Sequence, residues 1–243
     1  MRVWESVSCV KFRPRISTDT DYYLRITPGT GCSSAVGRVR SDGGGQNLFL
    51  ALPGCSAGTI LHELGHAMGF FHEQSRLDRD DSVSINFDNI ESGRERNFFS
   101  ERSELVAQYD VESIMHYGSH VKQDESVLMG NRVELTFYDK KVANRAYECA
   151  DHCNSSAPAC TNDGYLNMDC VCVCPKGLGG AACETSDPTW DSSMTELLRI
   201  PFACRKDNLT PKCLRSRRKK TRLLVLNSIF LSIVEVNSVL LHE

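Results

Sequence analysis

Three histidines and a glutamate stand close together in the run His62-Glu63-Leu64-Gly65-His66-Ala67-Met68-Gly69-Phe70-Phe71-His72. Histidines four residues apart on a helix project from one face, so both imidazoles can reach a single zinc ion at about 2.0–2.1 Å. A helix continued past His66 would carry His72 away from that ion. Gly69 has no Cβ and can adopt positive φ, so the chain can turn there and bring the third imidazole back. Three neutral imidazoles leave the ion its double charge and one open position for water, whose pKa such sites lower to about 7. Glu63, beside a ligand on the same helix, can accept that water's proton during attack on a peptide carbonyl and later pass it to the leaving amine. The expected chemistry is peptide hydrolysis by water held on one Zn2+ per chain, with Glu63 as general base. A lone pair of histidines at this spacing is more often ordinary surface or core. All five fixed positions together should arise by chance in roughly one such chain in tens of thousands.

Those side chains need a helix and a scaffold. Ile60, Leu61, Leu64, Ala67 and Met68 share one helical face, which predicts a helix over Thr59–Met68 closed at Gly69. Upstream, the alternation over Asp21–Ile26 predicts a strand ended by Pro28, Gly29 and Gly31. Val36–Val39 and Leu48–Leu52 predict two more, separated by the loop at Gly43–Gly45. The fold class expected for residues 1–149 is α+β. After Cys149 the large aliphatics thin out and Cys, Gly, Asn and Pro take over, a composition that needs covalent staples to hold a shape. Beyond Glu184 come a polar linker, a basic cluster at Arg215–Arg222 and an apolar run at Leu223–Leu241.

The bulk composition narrows the setting. A chain of 243 residues at 41% hydrophobic content can bury one sizeable core and carry an appendage. A net charge of -3 sets up no field for nucleic acid or an acidic membrane, so no nucleic-acid partner is expected. Twelve dispersed cysteines suit an oxidising compartment and a secreted protein. The triplets Asn154-Ser155-Ser156 and Asn208-Leu209-Thr210 are compatible with that. Met1–Val10 has no apolar leader, so a signal peptide is expected to lie outside this chain. Asn227, Ser228, Glu235, Asn237 and Ser238 argue against Leu223–Leu241 as a membrane anchor, because a carboxylate mid-bilayer costs about 3 kcal/mol. Arg215-Ser216-Arg217-Arg218 resembles a basic processing site, although a solvated charge run is the commoner origin of such clusters. Oligomeric state has no signal in the sequence.

Two further stretches carry a family resemblance. His72 continues as Glu73-Gln74-Ser75-Arg76-Leu77-Asp78-Arg79-Asp80, and Ser113-Ile114-Met115-His116-Tyr117 follows downstream. The first matches HExxHxxGFxHExxRxDRD at every fixed position from His62 to Asp80, and the second is similar to the SxMHY Met-turn; both resemble the astacin family of metzincin zinc endopeptidases. The resemblance covers about Val7 to Cys149. It implies a metzincin protease fold with Met115 packed beneath the metal. It also implies Tyr117 as an additional, displaceable zinc ligand that can donate a hydrogen bond to the developing oxyanion. An edge strand near Val36–Arg40 would pair with an extended protein or peptide substrate through main-chain hydrogen bonds. The disulfides implied are Cys9–Cys149 and Cys32–Cys55. Family members begin with a further strand and a long helix, follow a propeptide, and bury an amino terminus against the glutamate after the third histidine. This chain is therefore expected to be incomplete at its amino end, with Glu73 lacking that partner.

The remaining clustered cysteines close with Cys172-Val173-Cys174-Pro175-Lys176-Gly177 and, after Leu178-Gly179-Gly180-Ala181-Ala182, Cys183. This CxCPxGxxGxxC spacing resembles the end of an EGF-like module, which implies Cys153–Cys170, Cys160–Cys172 and Cys174–Cys183 among the fifteen possible connectivities. A zinc knuckle is the rival reading, weakened by the lack of well-spaced additional histidines. The organisation expected is a catalytic domain over 1–149, an EGF-like module over 150–184 and an unassigned tail over 185–243. The function expected is a secreted zinc endopeptidase acting on extracellular proteins. The alternative is a catalytically inactive secreted fragment or binding protein working through the EGF-like module.

Overall fold

The computed structural model describes residues 1–19, 22–39, 45–101, 105–118, 129–187 and 239–242. A short helix α1 (Arg2–Val7) leads into a sheet built from β1 (Lys11–Pro14), β2 (Tyr23–Pro28), β3 (Ser33–Ser34), β4 (Gly45–Leu50) and a C-terminal strand β9 (Val239–His242). The strand order is β1-β9-β2-β4-β3. β2 and β4 run parallel, with Tyr23 opposite Gly45 and Pro28 opposite Leu50. β3 runs antiparallel to β4 at the sheet's edge, Ser33 opposite Phe49 and Ser34 opposite Leu48. Alternation buries Leu24, Leu48 and Leu50 on one face and leaves Arg25 and Phe49 on the other.

Against that face lies helix α2 (Ala57–Ala67), whose Leu61, Leu64 and Ala67 join the core with Met68 and Trp4. Trp4 is fully buried, and its indole N–H donates to the Leu61 carbonyl at 3.1 Å, fastening α1 to α2. Ser56 starts α2 by accepting the Thr59 N–H at 3.1 Å, so the helix begins two residues ahead of the expected Thr59. At its end Gly69 takes φ +98 and donates its N–H to the His66 carbonyl at 2.9 Å, the turn that the three-histidine spacing demands.

Two strand expectations need correction. Val36–Val39 is not a strand: Gly37 adopts φ +67 and sends its N–H to the His66 carbonyl at 2.7 Å, so the backbone leaves the ladder to bond the end of α2. The edge strand is Ser33–Ser34 instead, and Arg40 lies outside the described residues. β4 starts three residues before Leu48, because its partner β2 stays in register back to Tyr23 and extends to Pro28.

Helix α3 (Phe137–Ala146) is capped by Thr136 and Asp139, each side chain bonded to the other's backbone N–H. The cysteine-rich segment that follows folds as two small hairpins, β5 (Tyr165–Leu166) with β6 (Cys172–Val173) and β7 (Leu178–Gly179) with β8 (Thr185–Ser186). Its six sulfurs are joined as Cys153–Cys170, Cys160–Cys172 and Cys174–Cys183, which leaves no thiolate for a zinc knuckle. The segment docks on α3. Lys141 pairs with the Asp163 carboxylate and donates to its backbone carbonyl at 3.0 Å, and the rings of Phe137 and Tyr165 lie 5.5 Å apart. Among the described residues no helix is long and apolar enough to cross a membrane. The basic cluster and most of the Leu223–Leu241 run lie outside them.

Two disulfides brace the larger unit, Cys9–Cys149 across 140 residues and Cys32–Cys55 across 23. Loop-closure entropy gives the longer loop about 5 kcal/mol and the shorter about 3. Guanidinium unfolding of the paired Cys9→Ser/Cys149→Ser variant should therefore show a larger loss of stability than that of Cys32→Ser/Cys55→Ser. The reverse order would contradict this account.

Candidate metal centre

α2 presents His62 and His66 from one face, and the turn at Gly69 returns His72 to meet them. The Nε2 atoms of His66 and His72 are 3.1 Å apart, and those of His72 and His62 are 3.2 Å apart. Tetrahedral ligands at about 2.0–2.1 Å from one ion are separated by about 3.3 Å, so this donor set fits zinc. The opposite ring nitrogens fix the tautomers. His62 Nδ1 lies 2.7 Å from the Ile114 carbonyl and His66 Nδ1 lies 2.7 Å from the Phe70 carbonyl. Each must donate its N–H there, leaving an Nε2 lone pair aimed inward. Burial holds these imidazoles neutral, lowering His62 to about 4 and His72 to about 3.

Glu63 is buried beside them, and desolvation raises its carboxyl to about 7, offset in part by the Ser34 backbone N–H of β3. Tyr117 sets its ring edge-on to His72, centroids 4.3 Å apart, and against Phe98 at 5.7 Å. Its backbone N–H donates to Gln74 Oε1 at 3.0 Å, and burial pushes its phenol above the ordinary range, keeping it a proton donor.

Met115 packs beneath α2. A methyl added at Gly65, between the two helical ligands, would meet Met115 Sδ at 2.6 Å, so the thioether occupies the space which a side chain there would need. The Met-turn itself is held from α3. Asp139 accepts from Ser113 Oγ at 2.7 Å and from the Ile114 N–H at 3.0 Å. Arg132 Nη1 donates to the Ile114 carbonyl at 2.7 Å, the same oxygen that orients His62. A methyl on Gly58, in the first turn of α2, would run into the Arg132 backbone carbonyl. Asp139, Arg132, Gly58 and Gly65 were not singled out from the sequence. Only Asp139 had a legible signal, the Thr-x-x-Asp pattern of a capping box.

The charged residues after His72 turn out to brace the backbone. Arg76 grips Asp78 in a bidentate pair at 2.9 and 2.8 Å and reaches Glu73 Oε1 at 3.1 Å. Arg79, buried, donates to the carbonyls of Gln74 and Phe98. Glu73 is not left without partners: it also accepts the Asp110 N–H at 2.9 Å. Burial beside a cavity of about 370 Å3, which it lines with His72, Asp110, Met115 and Asp139, raises its carboxyl to about 7.

Residues 1–148 match the model of the peptidase family described as Astacin. Protein SpAN of Strongylocentrotus purpuratus is 39% identical over 210 residues, covering 76% of this chain and 33% of that protein. Blastula protease 10 of Paracentrotus lividus is 38% identical over 225 residues, covering 81% and 37%. Zinc metalloproteinase nas-31 of Caenorhabditis elegans is 36% identical over 211 residues, covering 79% and 34%. The chain spans about a third of the length of these relatives. Among solved structures, High choriolytic enzyme 1, a hatching enzyme zinc-protease from Oryzias latipes, is similar with a TM-score of 0.53 at 34% identity, covering 61% of this chain and 78% of that chain.

Two outcomes follow from the geometry. Gly58→Ala forces backbone apart and should cost about 3 kcal/mol or more, whereas Gly65→Ala meets a flexible thioether and should cost less, about 1–3 kcal/mol; denaturant titration orders them, and equal costs would contradict the contacts described. The second concerns pH in the metal-free protein. His62 and His72 bind fewer protons folded than unfolded, so their contribution is lost as pH falls from 6.5 through about 4 and about 3. Glu63 and Glu73 act oppositely, their contribution being present below 4.5 and lost as pH rises to about 7. These effects oppose each other between 4.5 and 6.5, and below 4.5 the loss from the histidines is joined by that from Asp19, whose carboxyl Arg13 holds at about 2. The urea midpoint with chelator present should change little across the upper window and drop below it; a midpoint rising on acidification below 4.5 would contradict the burial assigned to the histidines.

Proposed function

This chain belongs to the astacin family of peptidases, and from that premise we propose that it is a zinc-dependent endopeptidase that hydrolyses peptide bonds in extracellular proteins. The observation that carries the reading is the convergence of three Nε2 atoms, His72 within 3.2 Å of each of the other two, beside the buried Glu63. His62, His66 and His72 would hold the ion, with Tyr117 as a fourth, displaceable ligand. Zinc bound there supplies a Lewis acid that acidifies water and polarises a carbonyl.

The chain's own residues do the rest. Glu63 is buried beside the three histidines, and with no cation there desolvation raises its carboxyl to about 7. As the carboxylate next to a ligand on the same helix, it can take a proton from water on one oxygen and return it to the leaving amine nitrogen. Tyr117, protonated and edge-on to His72, would donate its phenolic O–H to the carbonyl oxygen as negative charge develops there, a role its ring contact supports. Among the described residues β3 has β4 on one side and ends the sheet order on the other, an edge to which an extended substrate strand could add. Met115, Gly69 and Glu73 position these groups without touching substrate.

Five disulfides among the described residues support secretion into an oxidising compartment. The paired hairpins and three disulfides over 150–184 support an EGF-like module there, behind a catalytic domain over 1–149.

Glu63→Gln keeps the shape of the side chain and removes its basicity. Zinc content should remain at about one per chain while kcat/KM on a protein substrate falls by about 10²–10⁴. Undiminished cleavage by the variant would refute the assigned base. Zinc-loaded wild-type chain that cleaves nothing would favour a binding protein acting through the cysteine-rich module.

A further inference from the structure

Asn154 follows Cys153 at the start of the disulfide-bonded segment, within Asn154-Ser155-Ser156. All three residues are exposed. The Ala157 N–H closes a turn on the Asn154 carbonyl at 3.0 Å, and the Ser156 N–H donates to Asn154 Oδ1 at 2.9 Å. The side-chain oxygen is therefore the atom tied to the backbone, while the amide nitrogen is on the free side of the Asx-turn. A sugar on that nitrogen would break neither of these bonds. The neighbouring Cys153–Cys170 bridge forms in an oxidising compartment, the same setting in which oligosaccharide is transferred to such triplets. The other triplet, at Asn208, lies outside the described residues.

We propose that Asn154 is an N-glycosylation site that puts a carbohydrate on the exposed face of the cysteine-rich segment. In the transfer, Asn154 Nδ2 attacks C1 of the first sugar of a lipid-pyrophosphate-linked oligosaccharide. The C–N bond forms as the bond from C1 to the phosphate oxygen breaks, the lipid pyrophosphate leaves, and one amide hydrogen is lost as a proton. Ser156 supplies the hydroxyl that the transferase requires at this position.

The inference rests on the extracellular reading above, so the test separates the two. The full chain is expressed behind a cleavable secretion leader in a eukaryotic cell line, and the peptide carrying Asn154 is examined by mass spectrometry after enzymatic deglycosylation in heavy-oxygen water. Both the medium and the pool retained inside the secretory pathway are analysed. Conversion of Asn154 to labelled aspartate is expected. Asn154→Gln and Ser156→Ala should each remove one glycan step from the gel mobility, and Ser156→Thr should keep it. Unmodified Asn154 in disulfide-bonded chain from either pool overturns the site. Glycosylated chain that never reaches the medium supports the site and counts against the extracellular reading alone.

Discussion

The Nε2 atoms of His62 and His66 each lie within 3.2 Å of that of His72, and the rest of the described fold serves to hold the three there. Because the N–H groups of His62 and His66 are committed to backbone carbonyls, neither ring can donate to its neighbour. Their Nε2 lone pairs therefore point into the space shared with His72, where a single cation can be held. The His66 carbonyl is itself gripped by the N–H groups of Gly37 and Gly69, which ties the end of α2 to the segment beside β3 and to the return of His72. The Ile114 carbonyl that orients His62 is fixed by Arg132, and the Ile114 N–H by Asp139 from α3. The contact that orients His62 thus has further contacts behind it, the arrangement that sets ligand orientation in metal sites.

Desolvation works on the whole cleft with one sign for charge and two for pKa. It disfavours the cationic imidazole and the anionic carboxylate alike, so the histidines are lowered while Glu63 is raised to about 7. The same dryness that keeps the ligands neutral makes Glu63 an effective proton carrier. A more exposed cleft would forfeit both effects together, which gives a physical reason for seating the ligands on a helix whose inner face also carries the core residues Leu61 and Leu64.

The metal-binding pattern was legible because helix periodicity and one glycine dictate it: positions 62, 66 and 72 can converge only if the chain turns at 69, and Gly69 does so at φ +98. The failure at Val36–Val39 came from a tertiary bond. Local β-propensity cannot anticipate that Gly37 donates its N–H to a helix end far along the chain. Arg76 and Arg79 were readable as a signature and not as a structure. Their carbonyl contacts appear only when the backbone at Ala107, which accepts from Arg76, and at Phe98, which accepts from Arg79, is brought beside them. Arg132 was invisible for the same reason, since a residue that acts through the backbone of another leaves no spacing to read, and the capping-box spacing of Thr136 and Asp139 marks a helix start without showing that Asp139 also holds the Met-turn. The disulfide arrangement followed from a resemblance rather than from physics, because six cysteines admit many pairings at similar spacing.

The zinc site can be examined without reference to activity. X-ray absorption at the zinc edge, on the 243-residue chain loaded with one equivalent of metal, reports the donor atoms directly. The expected spectrum shows about three imidazole nitrogens at about 2.0–2.1 Å with oxygen completing the shell. Sulfur at about 2.3 Å, or a shell lacking imidazole scattering, would place the metal among the cysteines and contradict the site described.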